Sequence, residues 1–368
     1  MKALGIIFSN IHDKEIRPLT SERTLASVPF AGRYRLIDFA LSNMVNSRIA
    51  KVGVITKDHY QSLMDHVGNG KSWDLARKKG GLILLPPFAV NQTNLYKNRF
   101  EALCQARQFL AKAQEEFVIM SDCDSVCNLD YTPILRRHID NAADITVVYS
   151  KKNTSSSRVS TVFNLDKSSR VVSCGVNSNP KGKQLVFTNM IVLGRKFLLN
   201  LIDNRANLGY KSFSKDILTK VDEYKIFGVE TTGYYQQIED IESYYNISMQ
   251  LLDIKTRQKL FYKNGNSIYT KLRDSAPMRL TDTASIKNSL IADGCLVEGT
   301  VENSILFRGC RIKKGAIVKN SILFQDSIVS EDSSLNCVIT DKETTILERR
   351  CLSGHNTYPQ YIAKGLTI

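Results

Sequence analysis

Two different rhythms of apolar residues divide the chain. Up to about residue 260, short β-prone apolar runs alternate with segments whose apolar positions recur at helical spacing. Met1-Lys2-Ala3-Leu4-Gly5-Ile6-Ile7-Phe8 and Phe117-Val118-Ile119-Met120 read as buried strands, with Lys51-Val52-Gly53-Val54-Ile55-Thr56 and Asp144-Ile145-Thr146-Val147-Val148-Tyr149 as further ones. Between them, Phe100, Leu103, Cys104, Arg107 and Leu110 fall near one face and predict a helix over 98–112. This alternation predicts an α/β layer fold with a largely parallel sheet. After about residue 280 the rhythm changes. Asn-Ser-Leu-Ile at 288–291, Asn-Ser-Ile-Leu at 303–306 and 320–323, Asp-Ser-Ile-Val at 326–329 and Asn-Cys-Val-Ile at 336–339 recur. Ile317, Leu323, Val329 and Leu335 are spaced by six, as are Leu306, Ile312, Val318 and Phe324. That period predicts a β-helix of hexapeptide repeats, whose short strands bury their apolar sides only by stacking. The expected division is therefore 1–262 for the α/β domain and 280–368 for the solenoid.

Composition narrows the classes. A chain of 368 residues is long enough for two domains with a large core. The net charge of +14 suits anionic metabolites or an acidic partner. Lys and Arg are spread along the chain rather than gathered into a tail or an aromatic-interleaved stripe, which argues against nucleic acid as the partner. The eight cysteines contain no CxxC pair and no zinc-ligand spacing, so reduced thiols are expected. There is no secretory signal pattern and no apolar stretch approaching the roughly 20 residues of a membrane span, so a soluble, cytoplasmic protein without membrane contact is expected. Acyl transfer, which hexapeptide solenoids often perform, is disfavoured because His12, His59, His66, His138 and His355 are scattered and only His355 lies among the repeats.

The residues from Val28 to Ser47, with Pro29-Phe30-Ala31-Gly32-Arg33-Tyr34-Arg35-Leu36-Ile37-Asp38-Phe39-Ala40-Leu41-Ser42-Asn43 at their centre, closely resemble a signature of the glucose-1-phosphate adenylyltransferase family. Ser212-Phe213-Ser214-Lys215-Asp216-Ile217, Ile241-Glu242-Ser243-Tyr244-Tyr245 and Ile268-Tyr269-Thr270 match it too, so the resemblance spans the whole chain. It implies a Rossmann-like nucleotide-sugar transferase domain followed by a left-handed parallel β-helix that builds a tetramer. It also implies the joining of ATP and glucose 1-phosphate to give ADP-glucose, with carboxylates holding Mg²⁺.

Position by position, the elements of that chemistry are altered. The family's glycine-rich phosphate loop needs backbone without Cβ atoms. Here Ser9-Asn10-Ile11-His12-Asp13-Lys14-Glu15-Ile16-Arg17 stands in its place, and no glycine occurs between Gly5 and Gly32. Leu25 replaces the lysine expected to meet phosphate. Asp124 falls on one metal carboxylate, while Gln237 stands at the second, and a neutral amide is a poor Mg²⁺ ligand. Asn179 corresponds to the lysine that holds the sugar phosphate, and Asn189 to a downstream serine. Tyr96 is kept in a string that has lost its glycine. Asp122 and Asp124 also read as a plain turn pair or a helix cap.

The resemblance thus points to the D-type, regulatory or structural subunit that accompanies a catalytic subunit in many Gram-positive bacteria. No catalytic residue, metal or cofactor is expected in this chain, with Mg²⁺ belonging to the catalytic partner of a heterotetramer. Arg33, Arg35 and Tyr96 are the candidates for contact with a substrate or a sugar-phosphate effector, the arginines having a structural role with Asp38 as their alternative. A remodelled, self-sufficient enzyme is the rival reading, with Asp122, Asp124 and Glu239 on metal and Lys14 or Lys97 on phosphate.

Overall fold

A computed structural model describes residues 2–87, 96–154, 160–178, 181–262 and 265–368. The chain forms two compact units that interleave in sequence. One comprises Met1–Ile11, Phe39–Tyr235 and Ser267–Tyr269, the other His12–Asp38, Gln236–Asn266 and Thr270–Ile368.

The first unit is built on a nine-stranded sheet. Its strands are β1 (Ala3–Phe8), β2 (Lys51–Ile55), β3 (Gly81–Leu85), β4 (Phe117–Asp122), β5 (Ile145–Thr154), β6 (Ser160–Leu165), β7 (Val171–Ser178), β8 (Gly182–Gly194) and β9 (Ile226–Glu230). β1 runs parallel to β2 and β4, and β2 parallel to β3. These strands are near-continuous apolar runs, as expected where helices cover both faces. The other half departs from the largely parallel expectation. β8 is antiparallel to β4, β5 and β6, and β7 is antiparallel to β6. Antiparallel neighbours need only a tight connection. The β6–β7 turn is closed by Asp166, whose Oδ1 accepts the N–H groups of Ser168 and Arg170 at 2.8 and 2.9 Å. In β8 the register against β5 slips between Phe187 and Ile191, and Asn189 in that bulge has φ of 61°.

The polar residues of the Val28–Ser47 string prove to be fasteners. They lie on α1 (Leu36–Asn46) and just beyond its end. Ser42 Oγ accepts the N–H of Tyr269 at 2.8 Å, Asn43 Oδ1 that of Leu129 at 2.9 Å and Ser47 Oγ that of Tyr131 at 2.7 Å. The expected helix over 98–112 is two short ones, α2 (Arg99–Gln105) and α3 (Arg107–Ala111), broken at Ala106, whose N–H is shared between the carbonyls of Ala102 and Cys104. Asn98 caps α2 by accepting the N–H of Glu101 at 2.9 Å.

The second unit carries the left-handed parallel β-helix. Three five-stranded parallel sheets form its sides. Thr300 pairs with Ile317, which pairs with Ser334, so these coils take 17 residues, while the one from Ser285 to Thr300 takes 15, where three ideal hexapeptides would take 18. Val297, Ile312, Val329 and Ile346 stack in its fully buried core. The repeated Asn-Ser is its corner. Asn288, Asn303 and Asn320 hold φ of 44–46°, a left-handed conformation that asparagine tolerates better than most residues. Their amides ladder along the solenoid, Asn288 Nδ2 donating to Asn303 Oδ1 at 2.8 Å and Asn320 Nδ2 to Asn336 Oδ1 at 2.9 Å. The serines that follow accept N–H groups from the next coil, as Ser304 Oγ does from Ser321 at 3.1 Å.

Helix α4 (Ile241–Gln250) joins this unit through its tyrosines: Tyr244 donates to the Pro29 carbonyl and Tyr245 to that of Asn320, each at 2.6 Å. A buried, bidentate ion pair adds a longer link. The Arg23 guanidinium donates to both oxygens of Asp341 at 2.9 and 2.8 Å.

Candidate functional site: a turn and a carboxylate pair held by side chains

In the first unit, the turn after β1 is held by side chains instead of glycines. Ser9 Oγ donates to the Ile55 carbonyl at 2.8 Å, and Asn10 Oδ1 accepts the Lys57 N–H at 3.0 Å. Both residues are buried. Their side chains, not a run of glycine backbone, hold this turn.

The carboxylates at the end of β4 are equally committed. Asp122 and Asp124 place oxygens within 4.8 Å of each other, and both are buried. Arg99 donates from Nη2 to Asp122 Oδ2 at 2.5 Å. Its guanidinium also lies 5.3 Å from the centre of the Phe8 ring. Asn189, turned inward by the β8 bulge, donates to Asp124 Oδ2 at 2.8 Å and accepts a longer contact from Arg99 at 3.4 Å. Ser125 Oγ donates to Asp124 Oδ1 at 3.1 Å and lies 3.2 Å from the Tyr235 hydroxyl. The result is a chain of contacts, Asp122–Arg99–Asn189–Asp124, around a bend between two strands, with a strand rather than a capped helix following it. Mg²⁺ asks for near-octahedral oxygen ligands. A carboxylate already paired with a guanidinium, beside one that accepts an amide and a hydroxyl, is a poor match.

Tyr96, a candidate for ligand contact, is buried at 3 % exposure, with Lys57 Nζ 5.8 Å from its ring centre. Lys97 is exposed. Asn179 lies outside the described residues. Arg99 is the residue that sequence reasoning missed. Its signal was faint: Arg99 shares a helical face with Ala102, Leu103 and Ala106, which are buried, so a cation occupies an apolar position.

The remaining candidates belong to the second unit. Leu25 is buried in a short 3₁₀ turn, and its N–H donates to Asp13 Oδ1 at 2.8 Å. Lys14 and Arg17 are exposed. Gln237 is half-buried at the end of the short strand Tyr235–Gln237. Asp240 serves as the N-cap of α4 in a capping box with Ser243, a helix-initiating use. Glu239 donates its own N–H to Ser243 Oγ at 2.9 Å.

Arg33 and Arg35 separate. Arg33 is exposed over the Tyr34 ring at 5.8 Å, and Tyr34 stacks on Phe261 at 4.9 Å. Arg35 is buried, and its N–H donates to Asp38 Oδ2 at 3.0 Å. Burial, with the Arg35 and Arg23 guanidiniums, pushes the Lys342 ammonium down to about 7. Asp341 next to it accepts the Lys342 N–H and the Tyr361 hydroxyl, each at 2.6 Å, besides Arg23.

Residues 5–246 match the nucleotidyl transferase family, and residues 277–357 a GlmU-like C-terminal hexapeptide family. Among similar proteins, the glycogen biosynthesis protein GlgD of Bacillus subtilis is 32% identical over 363 residues, covering 99% of this chain and 96% of the relative. GlgD of Geobacillus stearothermophilus is 35% identical over 318 residues, 86% of this chain and 83% of the relative. The glucose-1-phosphate adenylyltransferase of Geobacillus stearothermophilus is 30% identical over 325 residues, with the same coverage of 86% and 83%. No helix among the described residues is long and apolar enough to cross a membrane. The chain therefore belongs to the nucleotidyl transferase family, in the glucose-1-phosphate adenylyltransferase group that includes the GlgD proteins.

Proposed function

We propose that this chain is the regulatory or structural subunit of a glucose-1-phosphate adenylyltransferase. It assembles with a catalytic-type subunit, as a heterotetramer by its resemblance, and supports ADP-glucose synthesis for glycogen without itself performing the reaction. The observation that carries this reading is the engaged carboxylate pair at the end of β4: Asp124, at the position expected to hold metal, accepts Asn189 and Ser125, while its neighbour Asp122 is paired with Arg99. Leu25 and the Ser9–Asn10 turn support it, because neither offers a cation or an open amide cradle to a triphosphate. By interface contacts the subunit would favour a more active conformation of its partner. The test is ADP-glucose synthesis from ATP, glucose 1-phosphate and Mg²⁺ by the purified chain, alone and mixed with a catalytic-type subunit from the same source. Silence alone with a raised rate in the mixture is expected. Turnover by the chain alone, lost in Asp124→Asn, would establish the self-sufficient enzyme instead.

A second reading concerns an anionic effector of sugar-phosphate type. The surroundings of Lys342 favour it: a half-buried lysine near Arg35 and Arg23 that gains its proton more easily when an anion arrives. The cations supporting this reading are Arg35 and Lys342, with Arg33 exposed elsewhere on the hairpin and Tyr96 buried in the other unit.

A further inference from the structure

Arg99 is a buried, ion-paired charge in the first unit, and its position is what gives it meaning. It reaches Asp122 Oδ2 from the first turn of α2, and its neighbour Asn189 reaches Asp124 Oδ2 from the β8 bulge. The two carboxylates are close enough to share one ion, with oxygens within 4.8 Å. Two acids at this separation, buried without a cation, would raise each other's pKa or draw in a metal. Here the positive charge is covalently part of the chain.

We propose that Arg99 is a resident cation that takes the seat of a divalent metal on the Asp122–Asp124 pair, so that the protein excludes Mg²⁺ and Mn²⁺ from this cleft. Three features fit this assignment. The guanidinium delivers its charge to the carboxylate through a short, charge-assisted hydrogen bond. Its plane is positioned by Phe8, 5.3 Å from ring centre to Cζ, so the side chain is packed as well as paired. Asn189 joins the second carboxylate to the same group, as donor to Asp124 and acceptor from Arg99, so that one neutral amide bridges the two acids' partners. An incoming dication would meet a fixed positive charge at the distance of its own ligands. An arginine-filled metal seat gives the non-catalytic reading above, on which it rests, a physical cause.

The experiment is Mn²⁺ binding to the full chain, read by electron paramagnetic resonance of free Mn²⁺ and by the shift in melting temperature that a ligand of the folded state produces. Five proteins are compared: wild type, Arg99→Lys, Arg99→Gln, Asp124→Asn and the double variant R99Q/D124N. Wild type and R99K, which keep a cation, are expected to bind no Mn²⁺ at this site. R99Q, which keeps a donor for Asp122 but no charge, is expected to bind one Mn²⁺ at least roughly tenfold more tightly, because like-charge repulsion at a few ångströms is removed. R99Q/D124N is expected to lose it again. A wild-type Mn²⁺ site that disappears in Asp124→Asn would overturn the proposal, and this arm decides even where R99Q fails to fold. A folded R99Q that binds no Mn²⁺ would overturn it as well. The outcome is separate from turnover: a metal-binding yet silent wild type sinks the resident cation and leaves the non-catalytic reading standing.

Discussion

Among the described residues, two buried arginine–aspartate pairs do different things. In the second unit, Arg23 and Asp341 lie 318 residues apart and meet in a bidentate pair, with side chains 4% and 3% exposed. Asp341 is further satisfied by Tyr361 and by the Lys342 N–H. In the first unit, Arg99 meets Asp122 through one nitrogen, 23 residues away, and spends its second contact on Asn189. The first pair is a clamp: planar, doubly bonded, and fixing a loop to the solenoid within one unit. The second is, on the proposal above, a substitute: a cation set beside the Asp122–Asp124 carboxylates. The same two residue types therefore serve architecture in one place and, on the proposed reading, occupy a carboxylate pair in the other. What separates them is the number of contacts and what each aspartate would otherwise hold.

Equal substitutions sharpen the contrast. Arg23→Gln strands a buried carboxylate and unfastens the clamp, so a loss of about 3–5 kcal/mol is expected in urea unfolding of the second unit's transition. Arg99→Gln should cost less, about 1–3 kcal/mol, because a glutamine amide can still donate one hydrogen bond to Asp122 where only one was made. If R99Q proves the more damaging of the two, Arg99 is the principal clamp and the division drawn here fails.

Much of the architecture was legible beforehand, for reasons that can be located. The Asn-Ser repeat is visible because each Asn must occupy a left-handed corner and each Ser must accept an N–H from the next coil, which restricts both positions in every turn. β1, β2 and β4 are visible because a strand buried on both faces is an unbroken apolar run. The antiparallel half of the sheet was hidden, since its β6–β7 turn uses Asp166, Ser168 and Ser169, residues equally at home in any loop. At the site, losses were easier to read than gains. A missing glycine or a leucine in place of lysine is evident from the position alone. Arg99 and Asn189 are not, because their partners are set by the sheet and by a bulge that shifts Asn189 toward Asp124. The Arg33–Arg35 pair was misleading for a related reason: Arg33 lies in the turn before the two-residue strand Tyr34–Arg35, so the two arginines share no strand face, and one is exposed while the other is buried.

The smallest expected effect concerns the cation beside the clamp. Lys342 is held down at about 7, first by burial and then by Arg35 and Arg23, against 10.5 for an ordinary lysine. Between these values the unfolded chain carries a proton that the folded chain has given up, so Lys342 subtracts from stability, most at low pH. Stability should therefore rise with pH from about 7 towards 10.5 as far as this group is concerned. Replacing it with an apolar side chain of similar length removes the cost. Lys342→Met is expected to stabilise the fold by on the order of 1 kcal/mol at pH 6, with the gain shrinking towards pH 10. Thermal melts of both proteins across that range measure it. Sulfate, whose charge is constant over the same interval, separates a strained lysine from a ligand-binding one. If the effector reading holds, sulfate raises the wild-type melting temperature more at pH 6 than at pH 9, and the difference vanishes in K342M. If sulfate acts equally on both proteins, Lys342 is only a cost of packing beside the clamp, and the two arginine pairs differ in structure alone on that side of the comparison.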